Sequence, residues 1–239
     1  MDTHAEPLAL RRPRRRPRRA YFVAFSVVFA ALVTIGFSRT VILPAVAGVY
    51  TKPWWVHLHG VLFFSWTLLL VAQASLAAAG KMAWHRTAGT YGAWLIAPMM
   101  VLGLVVVFVD SRHDVLAGQG DAARSFFYGE LADLFMFASL AIPALWLRSN
   151  ADIHKRLVIL GSLGLLGAAV GRIPEISKFY NLIFVGLIAS LLAYDLIHKR
   201  KLHPASVVGA AVLLLVQFTE EPIGNTAAWL RASHALLGV

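Results

Sequence analysis

Two histidines open apolar segments at similar depth: His85, in Trp84-His85-Arg86-Thr87-Ala88-Gly89, and His154, in Asp152-Ile153-His154-Lys155-Arg156-Leu157. Two imidazoles are the minimum for bis-histidine haem, so this pair suggests a haem b site or a polar clamp. A second group has mixed chemistry. His59, Glu130, Asp133 and Arg172 each lie about one helical turn inside an apolar segment. Ionisable groups at such depth are costly and usually face a bundle interior or a cavity. Glu130 and Asp133 are three residues apart, on one helical face, a spacing suited to proton relay or metal binding. Arg172 or His59 is the expected partner of one of these carboxylates, since removing one member of a buried pair strands the other.

The elements that must position these groups are membrane helices. Of 239 residues, 59% are hydrophobic and 14% charged, and the mean hydropathy is +0.69. An ordinary soluble domain carries about 25% charged residues, so a water-soluble globule is excluded, and the aromatic content excludes disorder. A crossing helix needs roughly 20 apolar residues. Seven segments approach that length: 21–37, 55–78, 89–109, 127–147, 157–173, 181–197 and 205–219. The first can extend past Arg39 through Val41–Leu43. Pro98 and Pro143 fall within apolar runs, where a membrane helix accommodates them as kinks. The predicted fold is an all-α polytopic bundle of seven transmembrane helices.

Lys and Arg set its orientation. With the N-terminus inside, fifteen of the 22 bases fall on the inner side and seven on the outer, while eight of the twelve acids fall outside. Positive charge holds loops in the cytoplasm, which predicts an internal N-terminus and an external C-terminus. Residues 1–19 form a Pro/Arg tract, read as a disordered cytoplasmic head. It serves as a topology anchor that meets anionic lipid headgroups rather than nucleic acid. Arg18-Arg19-Ala20-Tyr21-Phe22 has some likeness to a twin-arginine signal, but the distance to Ala45-Val46-Ala47 favours an uncleaved first span. Residues 20–220 make up the transmembrane domain. Residues 221–239, with Trp229, form an outer interfacial tail.

Helical spacing makes one stripe of His59, Phe63, Trp66, Leu70 and Gln73, expected to face the bundle interior with Gln73 as a deep hydrogen-bonding group. His57 points elsewhere and belongs to an interfacial belt with Trp54 and Trp55. Gly161, Gly164, Ala168 and Gly171 share a face with His154, which suits close helix packing and would also admit a flat porphyrin. The remaining bases and histidines at the inner ends, including His198 and His203, are read as solvated topology signals. With no cysteine, thiol catalysis, disulfides and covalent haem attachment are excluded. No phosphate-binding loop, nucleophile elbow or zinc-protease motif occurs.

The order His59, Trp66, Gln73, His85-Arg86-Thr87-Ala88-Gly89, Asp152-Ile153-His154-Lys155-Arg156-Leu157 and His203-Pro204 resembles a group of uncharacterised bacterial multi-pass membrane proteins. These share a His-Arg-x-x-Gly step after the second span and a His-Lys-Arg step before the fifth. The likeness covers about residues 55–230. It implies an inner-membrane bundle in which His59, His85, Arg86 and His154 matter, and it carries no activity. Three functions stay open: a small haem-binding or redox protein, a transporter-like bundle using the outer group, and a non-catalytic assembly factor.

Overall fold

The computed structural model describes residues 16–239, so most of the basic head lies outside the described residues. All regular structure among them is helical. The first helix, α1 (Arg16–Phe37), starts inside the expected head and continues through a wide turn at Ser38–Ile42 into α2 (Leu43–Val46). Then come α3 (Trp54–Ala78), α4 (Met82–Ala93), α5 (Ile96–Asp114) and α6 (Gly120–Trp146). The chain ends with α7 (Ala151–Leu163), α8 (Gly167–Val170), α9 (Tyr180–Lys199), α10 (Pro204–Gly224) and α11 (Ala227–Leu237).

Six helical stretches are long and apolar enough to cross a membrane. One of them, Met82–Trp146, has 65 residues, or about 100 Å if straight. It is not straight. Gly118 and Gly120 take positive φ values of 92° and 57°, a conformation open to glycine at little cost, and the chain reverses there. α5 and α6 then lie antiparallel, as shown by Phe108 against Phe127 (5.0 Å between ring centroids) and Ser111 bonded to Glu130. This stretch therefore supplies two crossings, and the bundle has seven.

Three segments differ from the sequence expectation. The third span is not one helix from Gly89 but α4 and α5, broken at Trp94–Leu95. Pro98 is the third residue of α5 and not a mid-span kink; its missing N–H falls in the first turn, where no intrahelical acceptor exists. The fifth span is likewise divided, into α7 and α8. α10 runs to Gly224, whose lack of a side chain admits Ser125 of α6. The tail then forms α11, which docks on protein and does not simply rest in the interface. Trp229 donates Nε1–H to the Arg124 carbonyl at 2.8 Å, and Arg112 and Arg124 donate to the carbonyls of Leu237 and Val239.

The core is apolar and lies between α1, α6, α7, α9 and α10, with Phe29, Met136, Leu160, Leu163, Phe184 and Leu213 almost fully buried. Large apolar residues also cover the outside, among them Ile35, Leu68, Val101, Phe135, Leu182 and Val208. Such exposure is a liability in water and the requirement in lipid. Exposed Trp54 at one end, and Trp84 and Trp146 at the other, suit the two interfaces.

Candidate functional site

The inner end is built on α7. Asn150 caps it, its side chain accepting from the amides of Asp152 and Ile153, which satisfies two otherwise orphaned donors. The next turn carries the acid, histidine and bases Asp152, His154, Lys155 and Arg156. Arg156 is a correction to the sequence reading. Its side chain is 0% exposed, and so is that of Asp195, with which it pairs. Arg156 donates Nε–H and Nη2–H to Asp195 and Nη1–H to the Asp152 carbonyl. Asp195 also accepts from Ser206 Oγ at 2.6 Å and from the His203 amide at 3.2 Å. Asp152 takes Lys155 at 2.7 Å and Lys199 at 2.6 Å. The inner ends of α7, α9 and α10 are thus held by one saturated polar network.

His203 belongs to the rim of that network. Its Nδ1 accepts from the Ala205 amide at 3.2 Å and caps α10. Burial first, and then the Arg156 and Lys199 cations, push its imidazole below the usual value of 6.5. The neutral form is therefore the one folding favours. The capping contribution is present above pH 6.5 and is lost as pH falls through the depressed pKa, when Nδ1 acquires a proton. His203→Ala is expected to cost about 1 kcal/mol at pH 7.5 and nothing at acid pH. Melting of both proteins across pH 4.5–8 checks it; a pH-independent difference would rule the cap out.

His85 and His154 do come together. Their ring centroids are 6.5 Å apart, with ring planes 81° to each other. His154 Nδ1 lies 2.8 Å from the Ala144 carbonyl of α6, and His85 Nδ1 lies 3.2 Å from the Gln73 carbonyl of α3. A carbonyl only accepts, so both Nδ1 atoms carry the proton and donate. Each ring's Nδ1 is thus engaged by a main-chain carbonyl, as the second ring nitrogen of metal-ligating histidines commonly is. The Gln73 side-chain nitrogen and oxygen, which lie against Gly89, are shielded from solvent and have no partner among the described residues. Those main-chain acceptors carry no sequence signal, so the tautomers were beyond sequence reasoning.

The stripe that includes Gln73 faces the interior as expected. Trp66 is buried, stands edge-on to Phe137 at 5.1 Å and donates Nε1–H to Ser162 at 3.1 Å. There α3, α6 and α7 meet. The small-residue face of α7 serves close packing: a Cβ at Gly161 would stand 3.0 Å from the Ala141 amide nitrogen. His57 is exposed near the Lys52 carbonyl and Tyr50, in keeping with an interfacial place.

The outer group is arranged differently from the expected ion pair. Arg172 lies over the Phe37 ring at 4.6 Å and donates to the Ala168 carbonyl, one turn back in its own segment. His59 stacks on Phe63 at 4.2 Å, and its buried Nδ1 has no partner among the described residues. Glu130 accepts from Ser111 Oγ at 3.1 Å. Asp133 forms neither hydrogen bond nor ion pair among the described residues; its Oδ2 sits against Gly167, beside the Tyr180 hydroxyl. Tyr180 donates to Gln217 Oε1, and Gln217 donates to Glu220 Oε2. Tyr180, Gln217 and Glu220 are thus members of the outer polar cluster that the sequence did not single out. Because Arg172 and Asp133 do not pair, Arg172→Leu and Asp133→Leu are expected to change stability additively, within about 0.5 kcal/mol. Thermal melts of both single variants and the double variant test this, and a larger coupling energy would restore the pair.

Comparison with protein families, with curated proteins and with solved structures finds no match for this chain.

Proposed function

We propose that this integral membrane protein holds a transition-metal centre, haem iron or a single ion, between His85 and His154, and that it serves a redox or metal-handling role. One observation carries the reading: two imidazoles from different helices lie with ring centroids 6.5 Å apart and each Nδ1 engaged by a main-chain carbonyl, which leaves Nε2 as the ring nitrogen that would ligate. An ion about 2 Å from each of two ring nitrogens on roughly opposite sides of it leaves close to that span between the rings. Imidazole suits iron, copper, zinc and nickel, so the ligand type favours these over magnesium or calcium. Membership of the bacterial inner-membrane group it resembles, which rests on the order of its short motifs, belongs to the same proposal, as do an internal N-terminus, an external C-terminus and contact of the basic head with anionic lipid, which rest on the distribution of bases.

Protein purified in detergent should carry, or take up, about one metal or haem per chain. Haem is read by its Soret band and other metals by mass spectrometry. His85→Ala and His154→Ala should each lower occupancy at least about tenfold, while His57→Ala should not. Occupancy that survives the double His85→Ala/His154→Ala substitution would overturn the assignment.

A further inference from the structure

Asp133 stands midway along α6, thirteen residues from Gly120 and thirteen from Trp146, so about 20 Å of helix lies on either side of it. It faces the interruption of the fifth span. Gly164, just past the end of α7, packs on its main-chain carbonyl, and Gly167, which opens α8, packs on its carboxyl oxygen Oδ2. The titratable groups that face it are Glu220 of α10, Tyr180 of α9 and Glu130 of its own helix, while α7 and α8 present glycine. No base pairs with it among the described residues; Arg172 interacts instead with Glu130, Tyr50 and Asp110. A carboxyl group inside a membrane bundle without a counter-charge is the kind that marks an ion or proton pathway.

The hydrogen bonds beside it have a direction. Tyr180 donates its O–H to Gln217 Oε1 at 3.1 Å, and Gln217 donates Nε2–H to Glu220 Oε2 at 3.2 Å. With its own proton turned to Gln217, the Tyr180 oxygen has only lone pairs to offer. It therefore answers an O–H and repels a bare carboxylate. Asp133 Oδ2 and the Tyr180 oxygen stand 3.1 and 3.3 Å from a single point, the place a Cβ would take at Gly167; a turn of the carboxyl group or one bridging water closes the contact. At the far end Glu220 is the acceptor. Its Oε1 fills the room left by the missing side chain of Gly129, one turn before Asp133 on the same face of α6. Glu220 is also one turn nearer the outer end of α10 than Gln217, next to exposed Glu221. The chain of polar groups thus runs from the middle of the bundle to its outer end.

We propose that Asp133 holds a proton in the middle of the bundle and exchanges it with the outer side by way of Tyr180, Gln217 and Glu220. The held proton sits on an Asp133 oxygen and points to the Tyr180 oxygen. On release the Asp133 O–H bond breaks and its electron pair stays on the carboxylate, to which Tyr180 then turns its own O–H. One proton is gained by Glu220, which passes it to the outer water. The two carboxyl groups thus share one proton and titrate as a pair. None of these residues belongs to the inner histidine site, so the proposal stands independently of the metal reading.

The test is infrared spectroscopy of the full chain in detergent at neutral pH, where a protonated carboxyl group has its own C=O band and that band shifts in D₂O. The difference between wild type and Asp133→Asn should isolate such a band and separate it from any signal of Glu130. Tyr180→Phe and Gly167→Ala both keep Asp133 and should move the band to higher frequency, the first by removing the hydroxyl and the second by placing a methyl group between the two oxygens. The atoms that methyl meets are the ends of two side chains, so Gly167→Ala guards against a folding defect in the other variants. Glu220→Gln should keep the band and slow its deuterium shift at least about tenfold, the smallest effect expected of a positioned proton carrier. No protonated-carboxyl difference between wild type and folded Asp133→Asn, or a band that sodium ions abolish at fixed pH, would overturn the proton at Asp133. A band unmoved in both Tyr180→Phe and Gly167→Ala would overturn the role of Tyr180, and an unchanged exchange rate in Glu220→Gln would overturn the outer route.

Discussion

Asp195→Leu, with Arg156 left in place, is expected to destabilise the protein by about 3–5 kcal/mol. The arginine and its partner both have 0% side-chain exposure, and Asp195 takes two of the arginine's N–H groups. Removing the carboxylate leaves the buried guanidinium with Asp152, through Nη1, as its remaining partner and its Nε and Nη2 unpaired, with the Ser206 hydroxyl and the His203 amide also stripped of their acceptor. Lost contact is therefore the smaller part of the cost; stranded charge is the larger. Arg156→Leu should be damaging for the converse reason. The double variant Arg156→Leu/Asp195→Leu should recover most of the loss, because two apolar side chains of suitable volume need no partners. Unfolding in detergent, followed by circular dichroism for all four proteins, gives the coupling energy directly. Additive single losses, or a cost for Asp195→Leu below about 1 kcal/mol, would show that the pair is not the lock at this end.

This network also shows where sequence reasoning stopped. The positive-inside rule explains Arg156 as a topology signal, and that explanation hides its burial. A contrary signal was present in the acids. Outside the head, Asp152 and Asp195 are the inner acids, and both are in the network. An acid on the side that charge bias empties of acids is a candidate partner, and that inference needs no coordinates. The crossings were legible because a bilayer demands length and apolarity, both linear properties of the chain. The break at Trp94–Leu95 was not, since hydropathy runs through it unchanged. The likeness in depth of His85 and His154 was legible from their place at the starts of two spans. Their separation, and the carbonyls of Gln73 and Ala144 that orient them, depend on how α3, α4, α6 and α7 meet. At the outer end, opposite charge made a pair of Arg172 and Asp133 plausible. The Phe37 ring and the Ala168 carbonyl compete for the guanidinium, and neither acceptor can be counted from charge.

Gly164→Leu is expected to cost at least about 3 kcal/mol, the upper range for overpacking a filled core. A Cβ at this position would stand 2.7 Å from Met136 Cβ, 2.8 Å from the Phe137 amide nitrogen and 3.0 Å from the Asp133 carbonyl oxygen. These atoms belong to the α6 backbone or are fixed to it, so no rotamer change clears the space, and α7 must move away from α6. Gly60 is the control: a Cβ there meets nothing within 4 Å, and Ala is preferred to Gly in a helix by about 1 kcal/mol. Gly60→Ala should therefore leave the melting temperature unchanged or slightly raised. The contrast has a consequence for the inner site. His154 is oriented by the Ala144 carbonyl across the same α6–α7 contact. If α7 is displaced, His154 loses that acceptor and its alignment with His85, although neither histidine is altered. Gly164→Leu should accordingly lower metal occupancy along with stability, whereas Gly60→Ala lowers neither. Full occupancy in a destabilised Gly164→Leu protein would mean that the histidine site does not depend on the α6–α7 contact.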